Sequence, residues 1–446
     1  MESGFKAAAE NAVQKAMSAG ADMAEAYLNN GRELVIEVRN GAVETMKLAG
    51  DRGLGIRVFQ SDRLGFAFTT DLNDTAIGEV VGQAIANAGN AEPDPRHALP
   101  RPSASYPRLD LYDPLIKAAT VEHKIELART MENEARNYDQ RISVIESATY
   151  QDGEVEVILV NSLGVSLQYS GAYCGMYIDL VAGGGEDSQT GFAMDYSLHL
   201  KNLDPVRLGK EAAHRAVRML GAKRGSTTQA AVVLDPYIAT GFLGVVAPAL
   251  SAEAVQKGRS LFAGKVGQPV ASELFNLVDD GALAEGIASA PFDGEGAPTA
   301  ETVLIKNGVL QCFLHNTYTA AKDGVSSTGN GIRGSFKGTP EVGYTNFFLQ
   351  PGNRSAEQII GEVKSGLYLT EVMGLHTANP ISGDFSFGAS GLWIENGKLS
   401  YPVRGMAVAG NIMEVIKNVD AVGSDLQFFG GKGSPTLRIS RMSISG

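Results

Sequence analysis

The sequence has little cysteine and little positive charge, and each shortage narrows the range of functions. Only two of 446 residues are cysteine, Cys174 and Cys312, so we interpret both as small buried residues of a reducing compartment. The formal net charge of −12 opposes binding to phosphate backbones, so nucleic acid is not an expected partner. We find neither a signal-peptide pattern nor a run of about 18 apolar residues that could cross a membrane. These absences predict a cytoplasmic protein without a membrane partner.

Histidine is also scarce, which limits the metal chemistry that one segment could support. No two of the six histidines lie within a helical turn of each other, so a local metal-binding pair is absent, and only a site assembled from distant residues stays open. The Gly-x-Ser-x-Gly turn of serine hydrolases and the P-loop are missing as well. Residues 329–334 match the Gly-x-Gly-x-x-Gly fingerprint, but loop-forming residues flank them, so nucleotide binding is not expected.

Length and composition predict an ordered chain with more than one domain. Hydrophobic residues make up 44% of the chain and charged residues 20%, which is typical of globular proteins, and 53 glycines fit many strands and tight turns. We predict an α+β fold, with an N-terminal α/β domain over residues 1–225 and a β-rich C-terminal domain over residues 226–446. Within the first domain, residues 92–114 read as a proline-rich linker and residues 142–200 as a strand meander.

Asparagine–glycine pairs indicate hairpin turns, because both positions of such a turn favour positive φ. Three such pairs lie between strand-like runs, and they are Asn40-Gly41, Asn307-Gly308 and Asn396-Gly397. We also predict that residues 46–48 and 54–59 form separate strands, and that Asp152-Gly153 makes a turn inside the meander.

A long apolar stretch after residue 230 predicts a buried helix. Asp235 can accept a hydrogen bond as the N-cap, and Pro236 suits the first helical position. Residues 238–250 have almost no polar face, which is typical of a helix surrounded by protein. Pro248 lies within this stretch and should kink the helix or end it early.

The residues that follow this helix carry a family resemblance. They are residues 258–264 (Gly-Arg-Ser-Leu-Phe-Ala-Gly), 270–274 (Val-Ala-Ser-Glu-Leu) and 278–281 (Val-Asp-Asp-Gly), with further matches at 52–58, 161–164 and 382–386. On these residues the chain resembles the TldD/PmbA peptidases, and within them the PmbA (TldE) branch. The resemblance extends over most of the chain.

The resemblance implies that this chain lacks the metal motif of its relatives. In the TldD branch the apolar helix carries His-Glu-x-x-x-His, and the matching positions here are Gly244, Val245 and Ala249. None of these three can bind zinc or act as a base. The family cysteine near the C-terminus has no counterpart in residues 428–437. We therefore expect no cofactor in this chain, and zinc in a partner subunit.

The resemblance further implies two related subunits that enclose a cavity, and hence a dimer. The residues that could line this cleft are His315, Arg333, His376 and Asp384. We expect a non-catalytic subunit of a TldD/TldE-type metallopeptidase complex that acts in proteolysis or peptide maturation by partner binding and substrate admission. Its expected partners are a metal-bearing TldD-type paralogue and an unfolded or small peptide.

Two alternatives remain open at this point. One is a stand-alone peptidase whose site has moved, using His315, His376 or Asp384. The other is a homodimeric module that binds peptides without any enzymatic partner. Whether the chain is an enzyme is therefore left open, and metal content and peptidase activity of the pure chain, alone and mixed with a metal-bearing paralogue, would separate these hypotheses.

Overall fold

The computed structural model describes residues 2–446, apart from the side chains of Glu2, Ser3 and His376. The first half contains five helices and six strands among these residues, together with short 3-10 helices at Gly185–Asp187 and Leu200–Asn202. In chain order the elements are α1 (Glu2–Ser18), β1 (Met23–Arg39), β2 (Ala42–Gln60), β3 (Arg63–Thr69), α2 (Asp74–Gly89), α3 (Pro114–Ala118), α4 (Val121–Tyr138), β4 (Ile142–Asn161), β5 (Ser166–Ala182), β6 (Gln189–Ser197) and α5 (Pro205–Val217).

The six strands form one antiparallel sheet in the order β3-β2-β1-β4-β5-β6. One face of the sheet is covered by helices, with α1 and α2 over one end and α4 and α5 over the other. The opposite face carries Tyr27, Val157 and Leu159, which pack against Phe292 and Phe336 of the second half. The sheet therefore lies between its own helices and the rest of the chain.

Two predicted strand breaks are wrong, and aromatic rings explain both. β4 runs straight through Asp152-Gly153, and β2 joins the two strands predicted at 46–48 and 54–59. An ideal Cβ at Gly153 would lie 2.4 Å from the ring of Tyr173, and one at Gly53 would lie 2.2 Å from the ring of Phe336. These glycines make room for a ring inside an extended strand, so here glycine marks close packing and not a turn.

The second half has five further helices and fifteen further strands among the described residues, many of them short. They are β7 (Lys223–Arg224), β8 (Thr228–Leu234), α6 (Pro236–Val246), α7 (Ala252–Gln256), β9 (Leu277–Asp280), β10 (Glu301–Lys306), β11 (Val309–Leu310), α8 (Thr317–Asp323), β12 (Gly331–Ile332), β13 (Glu341–Val342), β14 (Phe347–Leu349), α9 (Ala356–Gly361), β15 (Ser365–Met373), β16 (Asp384–Glu395), β17 (Lys398–Asn411), α10 (Ile412–Lys417), β18 (Val419–Val422), β19 (Gln427–Phe429), β20 (Lys432–Ser434) and β21 (Leu437–Ser445). Two 3-10 turns, Ala247–Leu250 and Leu375–Thr377, complete the set.

Strand β21 closes a barrel because it pairs with both β8 and β17. The ring runs β8-β15-β16-β17-β21, with β18 and β7 attached at its margins. A second sheet, in the order β11-β10-β9-β14-β20-β19, packs against the barrel with α6 and encloses the largest apolar core of the chain. An α/β half followed by a β-rich half confirms the predicted α+β fold class. No helix in residues 2–446 is long and apolar enough to cross a bilayer.

Local sequence signals of the second half are confirmed. The Asp235 side chain accepts a hydrogen bond from the Tyr237 N–H and caps α6, with Pro236 as the first helical residue. The helix ends at Val246, two residues before Pro248, and continues only as a 3-10 turn. Each of the three predicted Asn-Gly turns, one of them in the first half, adopts positive φ at both residues. Residues up to Asn411 belong to β17, so the helix α10 begins only at Ile412.

The proline-rich segment 92–114 lies against both halves. His97 stacks on Tyr318 with ring centroids 5.3 Å apart and contacts Phe59 at 5.5 Å. The Tyr106 hydroxyl donates to the Gly296 carbonyl at 3.2 Å. The segment thus joins the first sheet to the loops of the second half that build the junction described next.

Candidate functional site

The helix α6 is the element on which the resemblance would place a metal. Gly244 and Val245 are half-buried on its outer side, whereas Ala249 lies in the following 3-10 turn and is buried in the main apolar core. Hydrogen, isopropyl and methyl side chains offer no ligand atom to a cation. A histidine at position 249 would also have to displace core residues.

A lysine occupies the space beside Gly244. The side chain of Lys432, on β20, reaches α6, and an ideal Cβ at Gly244 would lie 3.0 Å from its Nζ atom. Burial lowers the pKa of Lys432, and no ion pair among the described residues involves it. A positive ammonium at this position repels a metal cation, so the residues present do not fit a zinc ion here.

The rest of the described chain offers no better set of metal ligands. No group of three or more His, Cys, Asp or Glu residues in the described part of the chain has a geometry that could hold a metal ion. Both cysteines are free, with Cys174 buried and Cys312 half-buried, and burial raises the pKa of both thiols. Raised thiol pKa values favour the protonated form, which binds metals poorly.

A cavity lined by aromatic side chains lies elsewhere, between the first sheet and the loops of the second half. Its volume is about 520 Å³. Strands β1, β2, β4 and β5 form its floor, and residues 287–294 and 329–333 form its opposite wall. The aromatic side chains of Tyr27, Tyr169 and Phe292 line it together with Arg333. It is large enough for a segment of a few residues.

Glycines lower the floor of this cavity on four adjacent strands. They are Gly50 on β2, Gly31 on β1, Gly153 on β4 and Gly171 on β5. The ring of Tyr173 covers Gly153, and its hydroxyl donates to Glu33 at 3.3 Å. The other three have no side chain within 3.6 Å of an ideal Cβ, so they leave backbone accessible from the cavity. Accessible backbone of this kind suits contacts to an extended chain.

Arg333 lies on the cavity wall, but its guanidinium is already engaged. Its Nε atom donates to the Gly294 carbonyl at 2.6 Å and its Nη1 atom to the Gly338 carbonyl at 3.3 Å. Its Nη2 atom pairs with the buried carboxylate of Glu25. A peptide carboxylate would therefore have to compete with Glu25 for this arginine.

The same arginine belongs to a buried ionic cluster that joins the two halves. Arg57 on β2 contacts Glu25 at 2.8 Å and Glu295, in the loop before β10, at 3.2 Å. The second carboxylate oxygen of Glu295 accepts the Thr317 N–H at 2.7 Å. Burial acts to lower the pKa of Arg57, but the attraction of Glu25 and Glu295 outweighs it, so the pKa is raised. We call Glu25, Arg57, Glu295 and Arg333 the junction cluster.

Asp293 organises the loop that carries Glu295. Its carboxylate accepts hydrogen bonds from the backbone N–H groups of Gly331, Glu295 and Ala297 at 2.8 to 3.0 Å. Burial and the neighbouring Glu295 carboxylate raise the pKa of Asp293. The loop around the cavity is thus held by side chains that are themselves buried, which keeps the wall in one arrangement.

The structure does not join the other predicted cleft residues into one site. His315 is buried beside Thr328, where burial lowers its pKa, and its Nδ1 atom has no hydrogen-bond partner among the described residues. Asp384 is exposed at the start of β16, and hydrogen bonds from Asn411 and Ser382 hold its pKa below the usual value. His376 lies on the 3-10 turn Leu375–Thr377, and its side chain is outside the described part of the structure. Roles for these three residues remain predictions.

Sequence reasoning named Arg333 but missed Lys432 and the other three members of the junction cluster, Glu25, Arg57 and Glu295. Lys432 lies in a glycine-rich loop and gives no local signal. Arg57 and Glu25 each interrupt an apolar strand, and they lie directly opposite each other in the register of β1 and β2. Opposed charges in two apolar strands were therefore a signal that could have been used.

Comparison with known proteins places these features in a class. Residues 24–88 match PmbA/TldA metallopeptidase domain 1, residues 114–220 the central domain, and residues 227–446 the C-terminal domain. These three segments, arranged in the same order along one chain, define a metallopeptidase-type protein.

Relatives agree along nearly the whole length. The metalloprotease PmbA of Escherichia coli O157:H7 is 29% identical over 444 residues, which cover 98% of this chain and 96% of that protein. The metalloprotease TldD homolog of Haemophilus influenzae is 28% identical over 458 residues, covering 95% and 93%. The structure of TldE from Thermococcus kodakarensis superposes with a TM-score of 0.92 at 26% identity, over 98% and 100% of the two chains. The chain belongs to the PmbA/TldD metallopeptidase family.

Proposed function

We propose that this chain is a non-catalytic subunit of a TldD/TldE-type metallopeptidase complex. The single observation that carries the proposal is the contact between Lys432 and Gly244. At the helix position where the resemblance requires a metal ligand, the chain has no side chain and the adjacent space holds a cation. The fold is kept, while the donors that would activate water are replaced.

The cavity supports the second part of the proposal, which is substrate admission. Its glycine-lined floor exposes strand backbone, and its volume of about 520 Å³ suits an extended segment. A floor with few side chains would give binding through shape, with little dependence on sequence, as expected for an unfolded or small peptide. The partner that would cleave this peptide is a TldD-type chain carrying zinc. A cytoplasmic complex fits the two free cysteines.

The test is a comparison of the pure chain with a mixture. Zinc content is measured on the pure protein, and cleavage of an unfolded protein substrate is measured for this chain, for a metal-bearing TldD-type chain, and for both together. We expect less than one tenth of an equivalent of zinc in the pure chain and cleavage that rises at least tenfold in the mixture over either chain alone.

Two further samples make the result specific. A mixture containing a TldD-type chain whose metal motif has been replaced by alanine should be inactive, which assigns the chemistry to the partner. The Lys432→Ala variant of this chain should remain inactive alone. Stoichiometric zinc in the pure chain, or cleavage by the pure chain that survives removal of trace protease, would overturn the proposal.

A further inference from the structure

The cavity at the junction of the two halves, which we call the first cavity, adjoins a second one along the same sheet. The second cavity has a volume of about 350 Å³ and is bordered by β6, by residues 283–287 and by residues 428 and 430. We call it the side cavity. Ile287 lines both cavities, so they meet at this residue of the loop. Together they form one elongated space beside the first sheet.

Two tyrosine rings border this space on the side of the sheet. Tyr173, on β5, lines the first cavity, and Tyr196, on β6, lines the side cavity. In the strand register Tyr196 is opposite Gly175, which lies two residues from Tyr173 on the same face of β5. Side chains at such diagonal positions lie about 7–8 Å apart, within reach of aromatic rings. The two rings are therefore neighbours where the cavities meet.

Both rings lie over a glycine of the neighbouring strand. An ideal Cβ at Gly153 would be 2.4 Å from Cε1 of Tyr173, and one at Gly175 would be 2.2 Å from Cδ1 of Tyr196. Each ring thus occupies the space directly above the sheet that a side chain would otherwise fill. A ring that lies along the sheet in this way turns its other face toward the cavity.

Hydrogen bonds hold the outer end of each ring. The Tyr173 hydroxyl donates to the Glu33 carboxylate at 3.3 Å, and the Tyr196 hydroxyl accepts from Gln151 Nε2 at 3.0 Å. Burial, and next the Glu33 carboxylate, raise the pKa of Tyr173 to about 12, and burial raises the pKa of Tyr196. Both rings are therefore neutral at physiological pH and are positioned before a ligand arrives, which lowers the entropy cost of binding. We call Tyr173 and Tyr196 the tyrosine pair.

We propose that the tyrosine pair binds an aromatic side chain of an extended peptide by stacking. A well-placed contact between aromatic rings strengthens binding by about twofold to tenfold beyond the burial of apolar area. The glycine floor of the first cavity makes no such distinction, so the preference applies to one position of the peptide. This inference rests on the proposed substrate admission and adds the class of side chain that is admitted.

Charge at the site favours a peptide over other ligands with planar rings. Asp195 and Glu285 line the side cavity, and no lysine or arginine among the described residues lines it. Asp195 pairs with Arg207, and Glu285 lies 3.4 Å from His199, so part of this negative charge is already compensated. Nucleotides also carry planar rings, but the remaining negative charge repels their phosphates. A neutral aromatic side chain meets no such repulsion.

The test measures the affinity of the pure chain for peptides by titration calorimetry. The probes are three decapeptides of glycine and serine that differ only in a central phenylalanine, leucine or alanine. We expect the phenylalanine peptide to bind about fivefold more tightly than the leucine peptide, which buries a similar apolar side chain without a ring. Adenosine monophosphate should not displace the phenylalanine peptide, and displacement would reject a peptide as the occupant.

Variants separate the ring contact from folding. Tyr173→Leu and Tyr196→Leu should each reduce the preference for phenylalanine over leucine to about twofold or less, whereas Tyr196→Phe keeps the ring and should retain most of it. Gly175→Ala keeps both rings but displaces that of Tyr196, so it should act like Tyr196→Leu. Tyr177→Leu is the matched control, because Tyr177 is half-buried on the same face of β5 and lines neither cavity. It should leave the preference unchanged.

Equal affinities for the phenylalanine and leucine peptides would overturn the inference. So would a preference that survives both Tyr173→Leu and Tyr196→Leu, or one that Tyr177→Leu removes as well. These results leave the proposed function standing, because zinc content and cleavage by the mixture decide it separately. Absence of binding to all three peptides at about 1 mM would overturn this inference together with substrate admission, and would leave the zinc measurement unaffected.

Discussion

The junction cluster and the outer face of α6 use buried charge in opposite ways. At the junction, Arg57 and Arg333 lie between Glu25 and Glu295, and every charged group has an opposite charge within contact distance. Beside α6, Lys432 is half-buried with no ion pair among the described residues, and burial lowers its pKa. Charge in the first region joins the two halves of the chain, whereas in the second it lies where the family resemblance would place a cation.

The two regions differ in what their charged residues do for the cavity and for a metal site. The junction cluster holds the loops of the cavity against the first sheet, so it maintains the shape of the cavity. The outer face of α6, where the resemblance would place a metal, presents Gly244 and Val245, which offer no ligand atom to a cation. The proposed function, to bind and position a peptide, depends on the first region only, since neither task requires metal-activated water.

The largest effect is expected from breaking the junction cluster. Arg57→Met removes a buried guanidinium and leaves Glu25 and Glu295 with less compensation. Loss of one member of a buried ion pair costs about 3–5 kcal/mol, because the remaining charge stays desolvated. Urea unfolding followed by fluorescence of the single tryptophan, together with limited proteolysis of residues 287–297, should report the loss.

The control is an exposed ion pair on the same sheet. Arg32 lies 3.4 Å from Glu154 and is 42% exposed, so Arg32→Ala should cost less than about 1 kcal/mol. Similar losses for the two variants would mean that the junction cluster does not hold the halves together, and the comparison with the α6 region would lose its basis.

Features that depend on neighbouring residues could be predicted from the sequence, whereas contacts between distant residues could not. The cap at Asp235, the helix end before Pro248 and the three Asn-Gly turns each depend on neighbouring residues, and all are confirmed. The contact between Arg57 and Glu295 joins residues 238 positions apart, so no window of sequence contains it. The contact between Lys432 and Gly244 is similarly remote.

Glycine was misinterpreted for the same reason. A turn and close packing both favour glycine, and only the structure shows that Tyr173 covers Gly153 and Phe336 covers Gly53. Those two rings come from a neighbouring strand and from the other half of the chain. The lengths of β2 and β4 could therefore not be predicted from local signals alone.

Asp279 is a buried carboxylate with only neutral hydrogen-bond donors, so it extends the comparison between paired and unpaired buried charge. The effect of replacing it on stability should be smaller than that of Arg57→Met. Asp279 accepts hydrogen bonds from Thr345 N–H, Thr345 Oγ1 and Asn330, yet burial outweighs them and raises its pKa to about 6. The folded state therefore binds more protons than the unfolded state between pH of about 4 and 6. Stability from the protonated group is full below about pH 4 and is lost as pH rises through 6, a span of about 3 kcal/mol.

Asp279→Asn should remove this dependence, so the difference in unfolding free energy between native chain and variant should change by up to this amount from pH 4 to 6. Thr345→Val provides the matched test, because losing one donor should move the window to higher pH. Parallel pH profiles for the native chain and Asp279→Asn would show that this carboxyl does not titrate in that range.

The smallest effects should come from two glycines of the same helix, and they should have opposite signs. Alanine in a helix interior is more stable than glycine by roughly 0.5–1 kcal/mol. At Gly241 the new methyl would lie 2.6 Å from Leu375 Cδ1, inside a packed contact, so Gly241→Ala should destabilise by about 1 kcal/mol. At Gly244 the obstacle is only Lys432 Nζ at 3.0 Å, the flexible end of a side chain, so Gly244→Ala should be neutral or stabilising.

The position of the Lys432 side chain determines how the Gly244→Ala result is interpreted. If the Lys432 ammonium fills the space beside α6, displacing it offsets part of the stability gained from Gly244→Ala. The full stabilisation of roughly 0.5–1 kcal/mol should then appear only in the Lys432→Ala background. Thermal unfolding of the four chains of this cycle measures the difference. An equal stabilisation in both backgrounds would mean that the ammonium does not occupy this position. The space beside Gly244, where the resemblance places a metal ligand, would then be open and not filled by a cation.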